Sequence, residues 1–379
     1  MTAAQPTLFN NCSDAALLHG INSLPKVDLH RHITGSITAE TAVRVAAKYG
    51  VWLPTYDASE LEEQLFGQSG VSTLREYFRP WELLNKLFVG RQATREIVLD
   101  IARRAADDRV AYVELRTGPR GFNGHPAFKF DEYLKSLVEA TDEAESTYGT
   151  VIRWTLGIPR HNFIKQAPVV RARMCAQIFR TIAPLRPRYF VAVDLNGDET
   201  AAPPKEFRTC LHIASDLGFP VTVHAGECGG PEDVEYALNE LHASRIGHGI
   251  AAARDGAVMA ALVSKGCTLE ICPTSNVFLR LATKTADLPI ATFLANSVPF
   301  VICSDNPARC RTSISQELFR VAKAFGLSLA DILRLTLHGV NAAFADDEAK
   351  TALFTRITAA TSESRVWEDA QPALAVQIS

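Results

Sequence analysis

The chain has 379 residues, 47% of them hydrophobic and 21% charged, and its 39 basic and 42 acidic side chains leave a formal net charge of −3. There is enough apolar material for a large core, and no cationic surplus to attract a nucleic-acid backbone or an anionic membrane. Eight cysteines are scattered without a CxxC pair, the N-terminus lacks a basic stretch followed by an apolar run, and no run of about 18 uncharged apolar residues occurs. A soluble cytoplasmic protein with reduced thiols is expected, folded as one domain over residues 1–379.

Eight short β-branched runs ending in glycine or polar residues predict strands at 27–33, 110–117, 151–158, 190–196, 220–225, 245–250, 268–273 and 299–305. Amphipathic stretches at 131–148, 169–183, 205–217, 231–241 and 255–265 predict crossover helices between most of them. The gap from 33 to 110 is too long for one crossover and carries helical patterns at 39–48 and 94–104. It reads as a helical insertion over one end of the molecule. Beyond the eighth strand, 313–325 and 329–344 read as extra C-terminal helices, while the last twenty or so residues show no periodicity. Eight strands joined by helices predict a (β/α)₈ TIM barrel. An open doubly wound sheet is the rival, weakened because no GxGxxG follows the first strand.

Residues two apart in a strand share a face, so His30 and His32 in VDLHRHI can present two imidazoles to one cation. The pair alone is a weak signal. His224 and Glu227 end the fifth run in TVHAGE, His248 ends the sixth in RIGHG, and Asp305 and Asn306 end the eighth in CSDN. In a barrel these strand ends converge on the C-terminal face, and several buried polar groups on apolar strands require a shared partner. Three histidines and one aspartate suit Zn²⁺ and leave a position for a water whose acidity the metal raises.

Six ordered segments, LPKVDLHRHITGS, VDLNGDE, TVHAGE, RIGHG, LEICPTSN and CSDNP, resemble the adenosine deaminase family across roughly residues 24–344. The resemblance implies one zinc per chain held by His30, His32, His224 and Asp305, and a small-molecule adenine-type purine as substrate. It further implies that Glu227 handles the proton at purine N1, that His248 orients the attacking water, and that Asp305 is catalytic as well as a ligand. His32, Thr34, Gly197 and Asn306 fall on substrate-facing positions, with the Gly197 N–H meeting purine N3.

Two positions depart from the family pattern. Thr34 stands where relatives acting on free adenosine carry an acid that contacts the 5′ hydroxyl, whereas relatives accepting the 5′ monophosphate of N6-methylated adenosine resemble this chain in LRTGPR, residues 115–120. Arg116, Arg120, Arg160 and Lys165 are then either phosphate contacts or ordinary structural and solvated cations. Asn306 stands where most relatives have aspartate against purine N7, and its amide can still donate to that nitrogen. Deamination of adenosine or 2′-deoxyadenosine is the leading expectation, and a 5′-modified or N6-substituted analogue the alternative. A binuclear amidohydrolase needs a bridging group, often a modified lysine at the end of strand four, which VDLNGD lacks. A noncatalytic barrel is the remaining reading, although no ligand or proton donor is missing.

Overall fold

A computed structural model describes residues 13–120, 128–362 and 367. Its strands are β1 (Lys26–His32), β2 (Val110–Thr117), β3 (Val151–Pro159), β4 (Phe190–Asn196), β5 (Val221–Ala225), β6 (Arg245–His248), β7 (Thr268–Ile271) and β8 (Phe300–Ile302). They pair in sequence order and all in parallel. Just beyond β8, Asp305 N–H donates to the His30 carbonyl at 2.7 Å and His32 N–H to the Asp305 carbonyl at 2.8 Å, so the eighth strand returns to the first. The expected (β/α)₈ barrel is the observed architecture.

Parallel strands carry helices outside and side chains inside, so both faces must be buried, and every residue of β2, β4, β5, β6, β7 and β8 is. The strand sequences are accordingly near-continuous apolar runs interrupted by a few charged residues. Among those interruptions are the residues of the site and its supports.

Four predicted strand ends run past the observed ones. β6 stops at His248 because His248 and Gly249 both take left-handed backbone, with φ of 60° and 68°, and a short 3₁₀ turn follows. β7 stops at Ile271 because Pro273 opens a helix, Pro273–Phe278, where its missing N–H is not needed. β8 stops at Ile302, and β1 at His32 rather than Ile33.

Between β1 and β2 lie helices Ala39–Tyr49, Ala58–Phe66, Leu74–Tyr77, Trp81–Leu84 and Arg91–Asp107. Tyr77, Phe78, Trp81 and Asn85 of this insertion wall a cavity at the C-terminal ends of the strands. After β8 come Ile314–Phe325 and Leu329–Ala342, as expected, and a further helix, Asp347–Ser362, that the sequence pattern did not announce. Most of the final stretch without periodicity lies outside the described residues. The seven described cysteines are free thiols, and Cys12 lies outside. Among the described residues no helix is long and apolar enough to cross a membrane.

Candidate active site

β1 delivers His30 and His32 to one face, β5 delivers His224, and the turn after β8 delivers Asp305 in left-handed backbone, φ 55°. His32 Nε2 lies 3.3 Å from His30 Nε2, and Asp305 Oδ1 lies 3.4 and 3.5 Å from the two. Ligand atoms of His30, His32 and His224 all fall within 4.8 Å of one another. Burial holds His32 down to about pKa 3, so its imidazole is neutral and offers a lone pair. Bringing such lone pairs and a carboxylate together in a buried space is costly without a cation among them.

The other ring nitrogens point to carboxylates. His30 Nδ1 meets Glu270 at 2.8 Å and His224 Nδ1 meets Asp194 at 3.1 Å, an arrangement that leaves Nε2 free to ligate. Arg116 ties these supports together, its Nε donating to Asp194 at 2.9 Å and its Nη2 to Glu270. Arg245 adds a second cation, 2.7 Å from Glu270, and pairs with Glu114 on its other side. Burial alone would raise the Glu270 carboxyl, but Arg116 and Arg245 hold it well below the usual range. The donor set and its supports fit a divalent metal.

Glu227 and His248 stand beside this cluster. Burial pushes the Glu227 carboxyl well above its usual range, and the negative charges of Asp305 and Glu199 push it further. Both effects favour its protonated form. His248 is held well below the usual imidazole range, first by burial and then by His30. Its Nε2 lies 3.5 Å from Glu227, and Asn276 holds its Nδ1 at 3.2 Å.

A single cavity of about 1140 Å³ is lined by His32, His224, Glu227, His248, Asp305 and Asn306, together with Thr34 and Gly197. Of the predicted set, His30 sits behind its wall, reaching the cluster through Nε2. Gly197 takes φ 83°, and a Cβ there would meet His161 Nδ1 at 2.8 Å. Asn306 donates from Nδ2 to the Tyr77 hydroxyl at 2.9 Å and to Asp305 Oδ1 at 2.6 Å, leaving its Oδ1 without a partner.

The four cations named from sequence separate. Arg116 and Arg160 are buried and committed, Arg160 to the carbonyls of Ala202 and His224, which favours the structural reading of both. Arg116, Arg120 and Lys165 all line the cavity, but of these Arg116 is committed to Asp194 and Glu270. Arg120 donates to Thr34 Oγ1 and, at 2.7 Å, to Asn85 Oδ1, and its guanidinium lies 4.0 Å above the Phe88 ring.

The sequence signature of the adenosine deaminase family matches residues 25–360. The chain belongs to the adenosine deaminase family. It is 31% identical over 330 residues to an adenosine deaminase of Clostridium botulinum, an alignment covering 87% of this chain and 97% of that protein. Its fold matches the N6-methyl-AMP deaminase of Arabidopsis thaliana with a TM-score of 0.78 at 24% identity, covering 92% of this chain and all of that one. An amidohydrolase of Burkholderia ambifaria with bound zinc matches with a TM-score of 0.79 at 22% identity, covering 99% and 97%. The chain is thus an aminohydrolase of a metal-dependent family.

Sequence reasoning passed over Asp194, Glu270, Glu199, Asn276 and Tyr77. The first three are acids in or beside the quoted motifs, and a charge inside an apolar run was the signal available. Tyr77 gave none, since it sits in the insertion.

Proposed function

We propose that this enzyme hydrolyses the amino group from the adenine ring of adenosine or 2′-deoxyadenosine, giving inosine or 2′-deoxyinosine and ammonia. The observation that carries the reading is one cavity in which three imidazoles and a carboxylate converge beside the buried carboxyl of Glu227. The metal that fits this cluster is zinc, one per chain, held by His30, His32, His224 and Asp305, and when bound it supplies Lewis acidity toward the attacking water. Glu227 in its acid form gives a proton to N1, so that the ring accepts the electron pair as C6 becomes tetrahedral. His248, with Nδ1 held by Asn276, turns Nε2 toward the attacking oxygen. The Gly197 N–H serves purine N3, and Thr34 faces the sugar.

A second reading is favoured by one specific feature, Arg120 at Thr34. The guanidinium and the neutral hydroxyl replace what would otherwise be a carboxylate, and the cavity exceeds the range of about 300–1,000 Å³ usual for small ligands. That combination suits a 5′ anionic group, as in AMP or N6-methyl-AMP. The test is an absorbance and ammonia-release screen of purified zinc-loaded protein over adenine, adenosine, 2′-deoxyadenosine, AMP, N6-methyl-AMP and nucleosides with larger 5′ groups. The highest kcat/KM on adenosine or its deoxy form supports the first reading, and on a 5′ nucleotide the second. No ammonia from any of them refutes both.

A further inference from the structure

Glu227 is given its place by something other than its own side chain. Its carboxylate accepts no hydrogen bond from the described residues, and His248 Nε2, its ion-pair neighbour, is 3.5 Å away. A group that must meet one ring nitrogen to within a fraction of an ångström is therefore aimed by its backbone.

That backbone is wrapped around a second carboxylate. Glu199, on the turn after β4 and buried, accepts from Gly226 N–H at 2.6 Å through Oε1, and from Cys228 N–H at 2.5 Å and Gly229 N–H at 3.0 Å through Oε2. Three amides flanking Glu227 on both sides thus converge on one anion, the concave arrangement of N–H groups that favours negative charge. The turn is closed from the opposite side as well. Gly226 takes φ 69°, and a Cβ there would meet Val234 Cγ2 at 2.6 Å and Ala251 Cβ at 3.1 Å. Charge-assisted bonds of this kind are roughly twice as strong as neutral ones. They also exclude a different use for the group. Glu199, Glu227 and Cys228 lie close enough to hold a cation, but both Glu199 oxygens already accept amide hydrogens.

We infer that Glu199 is a positioning residue for the proton donor, a carboxylate that fixes the 226–229 turn and thereby aims Glu227 at the purine. The inference rests on the reading of Glu227 as the donor to N1. It has a consequence that a general structural role lacks. Loss of Glu199 must act through Glu227 and through nothing else in turnover.

Glu199→Gln keeps the shape, but its amide nitrogen is a donor turned toward donors, so at least one of the three N–H groups loses its acceptor. The experiment is a double-mutant cycle of Glu199→Gln and Glu227→Gln, with kcat, KM and zinc content measured on each protein. Glu199→Gln is expected to lower kcat by about 10²-fold, the cost of misplacing a catalytic group by an ångström or so, with KM and zinc little changed. In the Glu227→Gln background the same substitution should cost almost nothing more. Full additivity would overturn the inference while leaving Glu227 as donor. A Glu227→Gln protein with undiminished kcat would instead remove the reading beneath it. A second measurement is independent of variant folding, namely amide hydrogen exchange in the wild-type zinc enzyme. The Gly226, Cys228 and Gly229 amides should be protected like those of β5, and exchange at the rate of an open loop would overturn the inference.

Discussion

Asp194→Asn separates the metal ligands from the groups that orient them. In the native site the Asp194 carboxylate serves two donors at once, His224 Nδ1 at 3.1 Å and Arg116 Nε at 2.9 Å, and it is fully buried. Burial alone would raise its pKa, but His224 and Arg116 hold it well below the usual range, so the native group is an anion. An asparagine there can accept from one donor through its oxygen but turns its NH₂ toward the other. Two costs follow, and they are measurable apart. Losing an outer partner of a ligating histidine typically weakens metal binding by about 10- to 100-fold, or about 1.4–2.7 kcal/mol. In the metal-free protein, breaking one side of a buried ion pair costs up to about 3–5 kcal/mol. The lower part of that range applies, because Glu270 and the Leu29 carbonyl still accept from Arg116. Competition against a chromophoric chelator reads the first quantity, and denaturant unfolding of the apoprotein reads the second. Zinc affinity within a factor of about two of wild type would refute the assignment of Asp194 as an orienting group, whatever happened to stability.

Thr34→Asp places a carboxylate against Arg120, cancelling the cation available to a 5′ phosphate. The ratio of kcat/KM on adenosine to that on AMP should rise by about ten- to a hundredfold, the worth of a charged hydrogen bond, and an unchanged ratio would show that residue 34 does not face the 5′ position. Tyr77→Phe releases one of the two Asn306 hydrogens now bound at Tyr77 and Asp305, so discrimination between adenosine and 7-deazaadenosine should widen by up to about tenfold. Equal discrimination in both proteins means Asn306 does not read N7. Lys26 is wholly buried at the start of β1, and burial lowers it from 10.5 to about 8. Between those values the unfolded chain holds a proton that the native one lacks, so stability rises with pH through that window, by at most about 3 kcal/mol. Lys26→Met should flatten the slope of unfolding free energy from pH 8 to 10, and an unaltered slope would show that Lys26 is not the group titrating.

The barrel and the strand-end cluster were legible in the sequence for one reason. A closed parallel sheet turns an ordered list of strand ends into a ring, so His30, His224, His248 and Asp305 could be brought together by topology without any distance being known. Helix ends and strand ends were less legible where a single residue decides the stop, as Gly249 and Pro273 do. Charge was the least legible feature. The LRTGPR segment left Arg116 open as either a phosphate contact or a structural cation, because its partners are remote in sequence. Its partners, Asp194 and Glu270, are 78 and 154 residues away.

The strand pattern narrows such a choice from one sequence alone. In β1 the even positions Asp28, His30 and His32 share the face that turns into the barrel, and the Asp28 carboxylate is spent on Ser304 across the seam with β8. In β2 the pair Glu114 and Arg116 also sits two apart, inside an otherwise apolar strand that is buried throughout. Both face inward, to Arg245 and to Glu270 and Asp194. A guanidinium in that position cannot reach bulk water, and the cost of an unpaired charge there is several kcal/mol, so it must find carboxylates on other strands of the same barrel. Only two acids, Asp194 in VDL and Glu270 in LEI, interrupt the apolar runs of the fourth and seventh strands. Counting inward charges strand by strand would therefore have assigned Arg116 to the interior and left Arg120, which lies beyond the strand end, outside that count. Arg116, which ties the carboxylates behind His30 and His224 together, and Arg120, which sits against Thr34, are four positions apart in one motif, and the end of β2 at Thr117 divides them.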